Sequence, residues 1–259
     1  MSFANFNSDK AIKGRLQAAL YSMRKKRRLL ATSGEAPPVL RPILGGHGLG
    51  WIPEGSSTNP VQTPEFTSRA LGSSFLYFIG GYSSNNTVPV DSFGNIPVLQ
   101  DSSFYVPYGT AFQNQAYWKP DGIGGVSHYA ELLKTSYISG EVSIGMIEIE
   151  NADTISGGVV YRNEGQPLES DTITVQGPAL LVSAWFGDGG AADHTAVPDS
   201  GFESIDSLLS LPPELAVQCC FAVKEIQSTG ESTHSVTWSS TPSQGAAIYL
   251  YAVTKSGGG

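Results

Sequence analysis

The stretch Pro-Ala-Leu-Leu-Val-Ser-Ala-Trp-Phe-Gly-Asp at residues 178–188 constrains the fold more than any other part of the chain. In an extended backbone, successive side chains point to opposite sides. Leu180, Val182, Ala184 and Phe186 therefore share one face, and Leu181, Ser183 and Trp185 share the other. Neither face suits water. The pattern predicts an interior strand with further strands on both sides, because roughly eight residues is a normal strand but short for a stable helix. Pro178 before it and Gly187-Asp188-Gly189-Gly190 after it supply breakers at both ends.

A chain of 259 residues can bury a substantial core, and charged residues at only 15%, with 30 glycines and 16 prolines, favour an all-β protein rich in turns. Charge is unevenly distributed. Residues 1–41 hold nine Lys and Arg against Asp9 and Glu35, whereas residues 42–259 hold six against 21 acids. A basic segment on an acidic body implies contact with an anionic surface: nucleic acid, lipid or the acidic face of another protein. Cys219 and Cys220 are adjacent and point to opposite sides of a strand, a poor geometry for a disulfide, so they read as free, structural thiols. No apolar run reaches membrane length and no export signal follows Met1, which fits assembly in a reducing cytoplasm.

Residues 8–31 predict an amphipathic helix. Ser8 or Asp9 caps it, and Ile12, Leu16, Ala19, Leu20, Met23 and Leu30 recur at helical spacing. Arg24, Lys25, Lys26, Arg27 and Arg28 lie toward its C-terminal end, where the helix dipole favours positive charge. The apolar stripe beside these charges points to docking on a protein surface or in a multimer ahead of nucleic acid or lipid. Residues 32–65 break pattern with six prolines between 37 and 64 and Gly45, Gly46, Gly48 and Gly50 among them, and read as an extended arm lying against a surface. From residue 66 to 259 the chain reads as strands at 74–79, 88–91, 96–100, 127–133, 141–150, 159–162, 172–176, 179–186, 216–226, 235–239 and 246–254. Asp91-Ser92-Phe93-Gly94-Asn95 and residues 227–231 read as hairpin turns, and 204–211 as a short helix. Regular strands without intervening helices predict an antiparallel β-sandwich or a jelly roll, able to fold without the preceding residues.

Several short segments in order carry a resemblance: Phe75 to Ile79, the Asp-Ser-x-Gly-Asn turn, Ile-Glu-Ile-Glu-Asn-Ala-Asp at 147–153, the Leu-Leu-Val-Ser strand, and the closing Ser-Val-Thr-Trp-Ser-Ser and Ala-Ala-Ile-Tyr-Leu pair. Over roughly residues 65–255 this series resembles the jelly-roll domains of tailed-phage virion proteins and related gene-transfer particles. The resemblance implies a spike, fibre or decoration protein that is structural or glycan-binding, and brings no catalytic motif.

Sites of chemistry are few. His47, His128, His194 and His234 lack metal-ligand spacing, and no nucleophile-elbow, phosphate-loop or dinucleotide motif is present. Glu148 and Glu150 share a strand face and imitate a glycosidase pair, but catalytic carboxylates oppose each other across the sugar, so they read as a solvent face over buried Ile147 and Ile149. Asp188 and Asp193 are too few carboxylates for a calcium loop. Tyr117, Trp118 and Asp121 form the candidate glycan contact, with aromatic plates beside a hydrogen-bonding acid. The expectation is a non-enzymatic component of a phage-like virion, assembled in a bacterial cytoplasm without metal or cofactor and held to other virion proteins and sister subunits by its N-terminal segment. Host surface glycans are candidate ligands. The alternative is a freestanding carbohydrate-binding module, followed by a glycan-degrading enzyme.

Overall fold

The computed structural model describes residues 40–82, 88–105, 112–135, 138–163, 167–187, 195–199, 201–209 and 217–256, all within the unit Leu40–Gly259. The segment expected to anchor the chain, with Ile12, Leu16, Leu20, Met23 and residues 24–28, lies outside the described residues, as do Asp188, Asp193 and His194.

The described residues are all-β and antiparallel, with two five-stranded sheets face to face. The first sheet runs β1 (Ile43–Ile52), β8 (Val142–Glu150), β3 (Leu71–Gly81), β6 (Phe112–Ile123), β5 (Val98–Tyr105). The second runs β14 (Glu203–Leu208), β15 (Gln218–Ile226), β12 (Ala179–Gly187), β18 (Ala246–Thr254), β9 (Thr154–Arg162). Within the stretch at 178–188, Ala179–Gly187 form β12, the middle strand, and its two faces are both spent as the alternation predicts. Leu180, Val182, Ala184 and Phe186 enter the core between the large sheets, and Leu181 and Trp185 enter a second core on the far side.

That second core is closed by a three-stranded sheet, β10 (Leu168–Glu169), β17 (Thr237–Thr241), β13 (Thr195–Pro198), and by the pair β11 (Ile173–Gln176) and β16 (Glu231–His234). A third core lies on the outer face of the first large sheet, where Phe75, Tyr77, Ile79, Ile144 and Met146 meet β2 (Val61–Gln62), β7 (Ala130–Leu132) and β4 (Val90–Asp91). Cys219 sits with Val217 and Phe221 in the central core and Cys220 in the second, so adjacent thiols serve different layers.

The architecture is a repeat. Within residues 43–150 the large sheet takes the order first, eighth, third, sixth, fifth strand and the small sheet second, seventh, fourth. Residues 154–254 follow the same path, β9-β18-β12-β15-β14 over β10-β17-β13, with β11 and β16 added. Hydrogen bonds repeat as well. Thr63 N donates to Ala130 O at 3.0 Å and Ala130 N to Thr63 Oγ1 at 3.0 Å; in the second half Ser170 N donates to Val236 O at 2.9 Å and Val236 N to Ser170 Oγ at 3.0 Å. This register matches Leu132 with Trp238 and His128 with His234. Sequence reading missed the repeat because matched positions share burial rather than identity.

Several sequence expectations are corrected. The 32–65 arm contains β1 and β2, so the body starts well before residue 66. Its glycines are required by close approach rather than by looseness: a Cβ on Gly50 would lie 2.0 Å from Gln62 O. Strand β1 ends the sheet, the place where breaker-rich sequence is tolerated. The 204–211 helix is replaced by β14 over residues 203–208, where a register shift near Ile205 lets Ile205 and Leu208 both pack on the central core. The two hairpin turns instead carry the chain between sheets, since β4 pairs with β7 and β16 with β11. Strand β6 escaped notice because Pro120-Asp121-Gly122 reads as a breaker; a register shift opposite Ser73 and Phe75 accommodates it, with Asp121 at φ 48°.

Two outcomes are expected. Phe78, between Phe186, Phe221 and Tyr249, should cost about 3–5 kcal/mol when changed to Ala, read from urea unfolding. A fragment of residues 66–259 should melt well below one of residues 40–259, because it lacks the strand that covers β8; equal melting temperatures would contradict the boundary.

Candidate functional site

The densest polar cluster lies inside the first half, where Ser68, Tyr77, Asp91, Asn95 and His128 converge. Tyr77 points inward from β3, Asp91 ends β4, and His128 precedes β7. The His128 ring has no exposed side-chain surface and is enclosed by Phe75 and Phe93, each 4.8 Å away edge-on, and by Phe66 at 5.6 Å. Its Nε2 lies 2.9 Å from Asp91 Oδ2 and its Nδ1 lies 2.6 Å from Ser68 Oγ. Tyr77 OH and Asn95 Nδ2 each donate to Asp91 Oδ2 at 2.7 Å, and the backbone N–H groups of Phe93 and Asn95 donate to Oδ1 at 3.1 and 2.9 Å. Asn95 then holds both backbone groups of Ile123.

Burial pushes the Asp91 carboxyl upward, but hydrogen bonds from His128, Asn95 and Tyr77 outweigh it and hold the group below the ordinary aspartate value. Burial, reinforced by the Asp91 charge, drives the Tyr77 phenol far above its ordinary range. Hydroxyl to imidazole to carboxylate is the contact order of an activated serine. Here Ser68 Oγ accepts from Gly125 N at 3.0 Å, the donors on Asp91 leave its carboxylate fully engaged, and the aromatic rings close off the imidazole. In this conformation the hydroxyl has no open approach. What the cluster does is tie four separate segments together, and a fully satisfied buried network of this kind fixes one packing.

Glu148 is a second buried carboxylate, which corrects its reading as a solvent-facing residue. Its oxygens accept from Gly46 N at 3.0 Å, Arg69 N at 2.7 Å and Ser73 Oγ at 2.6 Å. Glu150 is partly exposed and pairs with Arg69 at 2.9 Å, so the two acids serve different ends. The expected glycan plates are corrected too. Tyr117 is buried in the outer core of the first half and Trp118 in the central core, on opposite faces of β6, leaving only Asp121 exposed. Neither ring offers a face to a sugar.

The second half places His234 where the first has His128, but His234 is only half-buried, bonded to Ser232 Oγ at 2.8 Å, and held below the ordinary histidine value by burial and the Lys224 charge. His47 belongs to a different contact: Nδ1 lies 2.6 Å from Asp206 Oδ2, joining β1 to β14 across the two halves. The hydrogen bond that His47 donates to Asp206 raises the His47 pKa against the opposing effect of burial. Lys134 is buried with its ammonium on the backbone oxygens of Ser56, Ile138 and Gly140, and burial lowers its pKa. Among the described residues no group of three His, Cys, Asp or Glu could hold a metal ion, and no helix is long and apolar enough to cross a membrane. A shallow groove of about 230 Å³ runs between β9 and residues 171–173, away from the cluster.

Sequence reading flagged Asp91 and Asn95 only as turn residues. The partners are up to 60 residues apart along the chain, and no local spacing signals them. Comparison of the chain with protein-family models, with curated proteins and with solved structures gave no match.

Three outcomes follow. His128→Ala should cost about 3 kcal/mol or more, since it strips Asp91 of its buried partner, whereas a nearly unchanged unfolding midpoint would deny the cluster its clamping role. The pH dependence has two limbs. Asp91 contributes stability that is present above the ordinary aspartate value of 3.8 and lost as pH falls through its depressed folded value. The His47 pair contributes stability that is complete below the ordinary histidine value of 6.5 and lost as pH rises through the elevated one. Asp206→Asn should flatten the second limb and leave the first, as thermal melts across pH would reveal. Finally, burial pushes Cys220 up to about 11 and Cys219 higher still, so a thiol reagent should label neither cysteine until the protein unfolds.

Proposed function

We propose that the chain is a non-enzymatic structural component of a phage-like virion, a head spike, fibre, tail or decoration protein whose body is a pair of jelly rolls and whose basic N-terminal segment anchors it. The observation that carries this reading is the strand order found twice, first-eighth-third-sixth-fifth facing second-seventh-fourth, which resembles the path of a jelly roll, an architecture used by viral capsid and lectin domains. The buried carboxylates of the first half, Asp91 and Glu148, are engaged in holding segments together, as expected of a body that displays and scaffolds. The body is acidic and the first 39 residues basic, which suits attachment to an acidic neighbour, either another virion protein or a sister copy in a homo-oligomer, and argues against nucleic acid for the body itself.

The alternative, a freestanding carbohydrate-binding module, loses its aromatic platform once Tyr117 and Trp118 are inside the cores, and gives no role to the basic segment. Host surface glycans remain a ligand class for the displayed body, to be sought by glycan array. The anchor is tested by co-sedimentation with the parent particle. Deleting residues 1–31 should leave a folded body that no longer joins the particle, and Leu16→Asp should do the same with little change in basicity. Undiminished incorporation of the deletion would refute the anchor. Attachment that survives Leu16→Asp but not neutralisation of residues 24–28, and that fades with salt, would point to an electrostatic tether instead.

A further inference from the structure

Beside β5, the end strand of the first large sheet, the surface differs from the rest of the body in charge and polarity. Residues 92–100 contain no charged side chain, although residues 40–259 hold 21 acids against seven Lys and Arg. Leu71, Ile96, Val98, Ile123 and Val126 are each between 52% and 73% exposed. Four of them are tied together by the fold: Leu71 and Ile123 are cross-strand partners, and Asn95 holds the backbone of Ile123, which brings Ile96 and the start of β5 with Val98 alongside; Val126 follows Ile123 by three residues. Isolated exposed aliphatic residues are ordinary, but a contiguous group is not. These five expose on the order of 600 Å², against about 800 Å² per partner in a standard stable interface.

The body's net negative charge disfavours an anionic membrane or a nucleic acid as the occupant. A two-fold contact between identical faces needs a surface that is complementary to itself, and a mainly apolar one meets that need; the exposed Arg69 and Asp121, two residues from Leu71 and Ile123, are of opposite sign and do not add up to a like-charged face. The acid on β5, Asp101, accepts the Tyr251 hydroxyl at 2.7 Å and is only partly exposed. Among the described residues β5 is the end strand of its sheet, a place where a further strand can be added. We propose that this face binds the same face of a second copy of the chain. The inference rests on the homo-oligomer in the reading above and names the surface that forms it.

The experiment is sedimentation of the full-length chain over a range of concentrations, with Ile96→Asp and Val126→Asp as variants. Both positions are highly exposed, so unchanged circular dichroism and melting temperature should accompany them. The wild type should self-associate, the association should survive high salt, and each substitution should raise its Kd about tenfold or more, as a charge buried in an apolar interface does. A wild type that stays monomeric overturns both this face and the homo-oligomer. Association indifferent to both substitutions overturns the face alone, and if Leu16→Asp abolishes it the oligomer forms through the N-terminal segment. Binding of a glycan or of neutral phospholipid vesicles that Ile96→Asp abolishes, with the chain monomeric throughout, would give the face to that ligand instead. Failure to join a virion, with dimerisation through this face intact, would remove the virion reading and leave the interface standing.

Discussion

The aromatic packing around Phe78 is the contact on which the rest of the molecule depends. Its ring meets Phe221 at 5.2 Å, Tyr249 at 5.4 Å, Tyr251 at 6.3 Å and Phe186 at 6.4 Å, so one side chain of the first half touches three strands of the second. Both large sheets carry apolar side chains on both faces, and neither could be left facing water. Each outer face is covered by its own half's small sheet. The inner face has only the other half to cover it. Fit across this plane is close: a Cβ on Gly145 would sit 2.0 Å from the Phe221 ring, so β8 approaches β15 only because that position has no side chain. Four layers of sheet with three cores between them follow from that requirement.

Viewed as a repeat, the two halves keep what closes a sandwich and change what fills it. The hydroxyl clasp of Thr63 on Ala130 recurs as Ser170 on Val236, and a two-residue strand pairs beside it in both. Inside, however, the first half stitches Asp91, His128 and Tyr77 into a charged network, while the second uses Trp238, whose indole N–H donates to Ser183 Oγ at 2.9 Å. A large ring with one satisfied polar atom does by volume what the network does by hydrogen bonds. The network brings acid sensitivity through Asp91, and the indole brings none.

Strands whose own alternation announces a buried face were readable from sequence. Residues 246–254 were bounded as β18 is observed, and β8, β12 and β15 were found within two residues at each end, including the division of Cys219 and Cys220 between two cores. Less was legible where tertiary contacts override local preference. Strand β6 carries a proline that only a register shift permits, β14 carries a spacing that imitates a helix turn, and the members of the polar cluster come from distant segments. Tyr117 and Trp118 were misjudged for the same reason as β6: a breaker beside two aromatics resembles a loop, yet the strand runs through it and sends the rings into separate cores.

Strand β1 shows how far this override goes. With four glycines in ten residues it has little preference of its own for an extended structure, and glycine weakens a strand interior. Besides the β8 ladder and its own Leu49 and Ile52 in the cores, it is held by groups from other segments. Glu148 accepts the Gly46 N–H from below, Asp206 of the other half grips His47, and the Phe66 ring and the Gln62 carbonyl occupy the space where side chains of Gly46 and Gly50 would stand. The glycines are thus the condition for those grips, since a Cβ at either place would push the neighbouring segment away. Because Asp206 is one of these holds, the seating of the body's first strand depends on the second half being folded. The coupling of the halves therefore runs through the edge of the sandwich as well as through Phe78 at its centre.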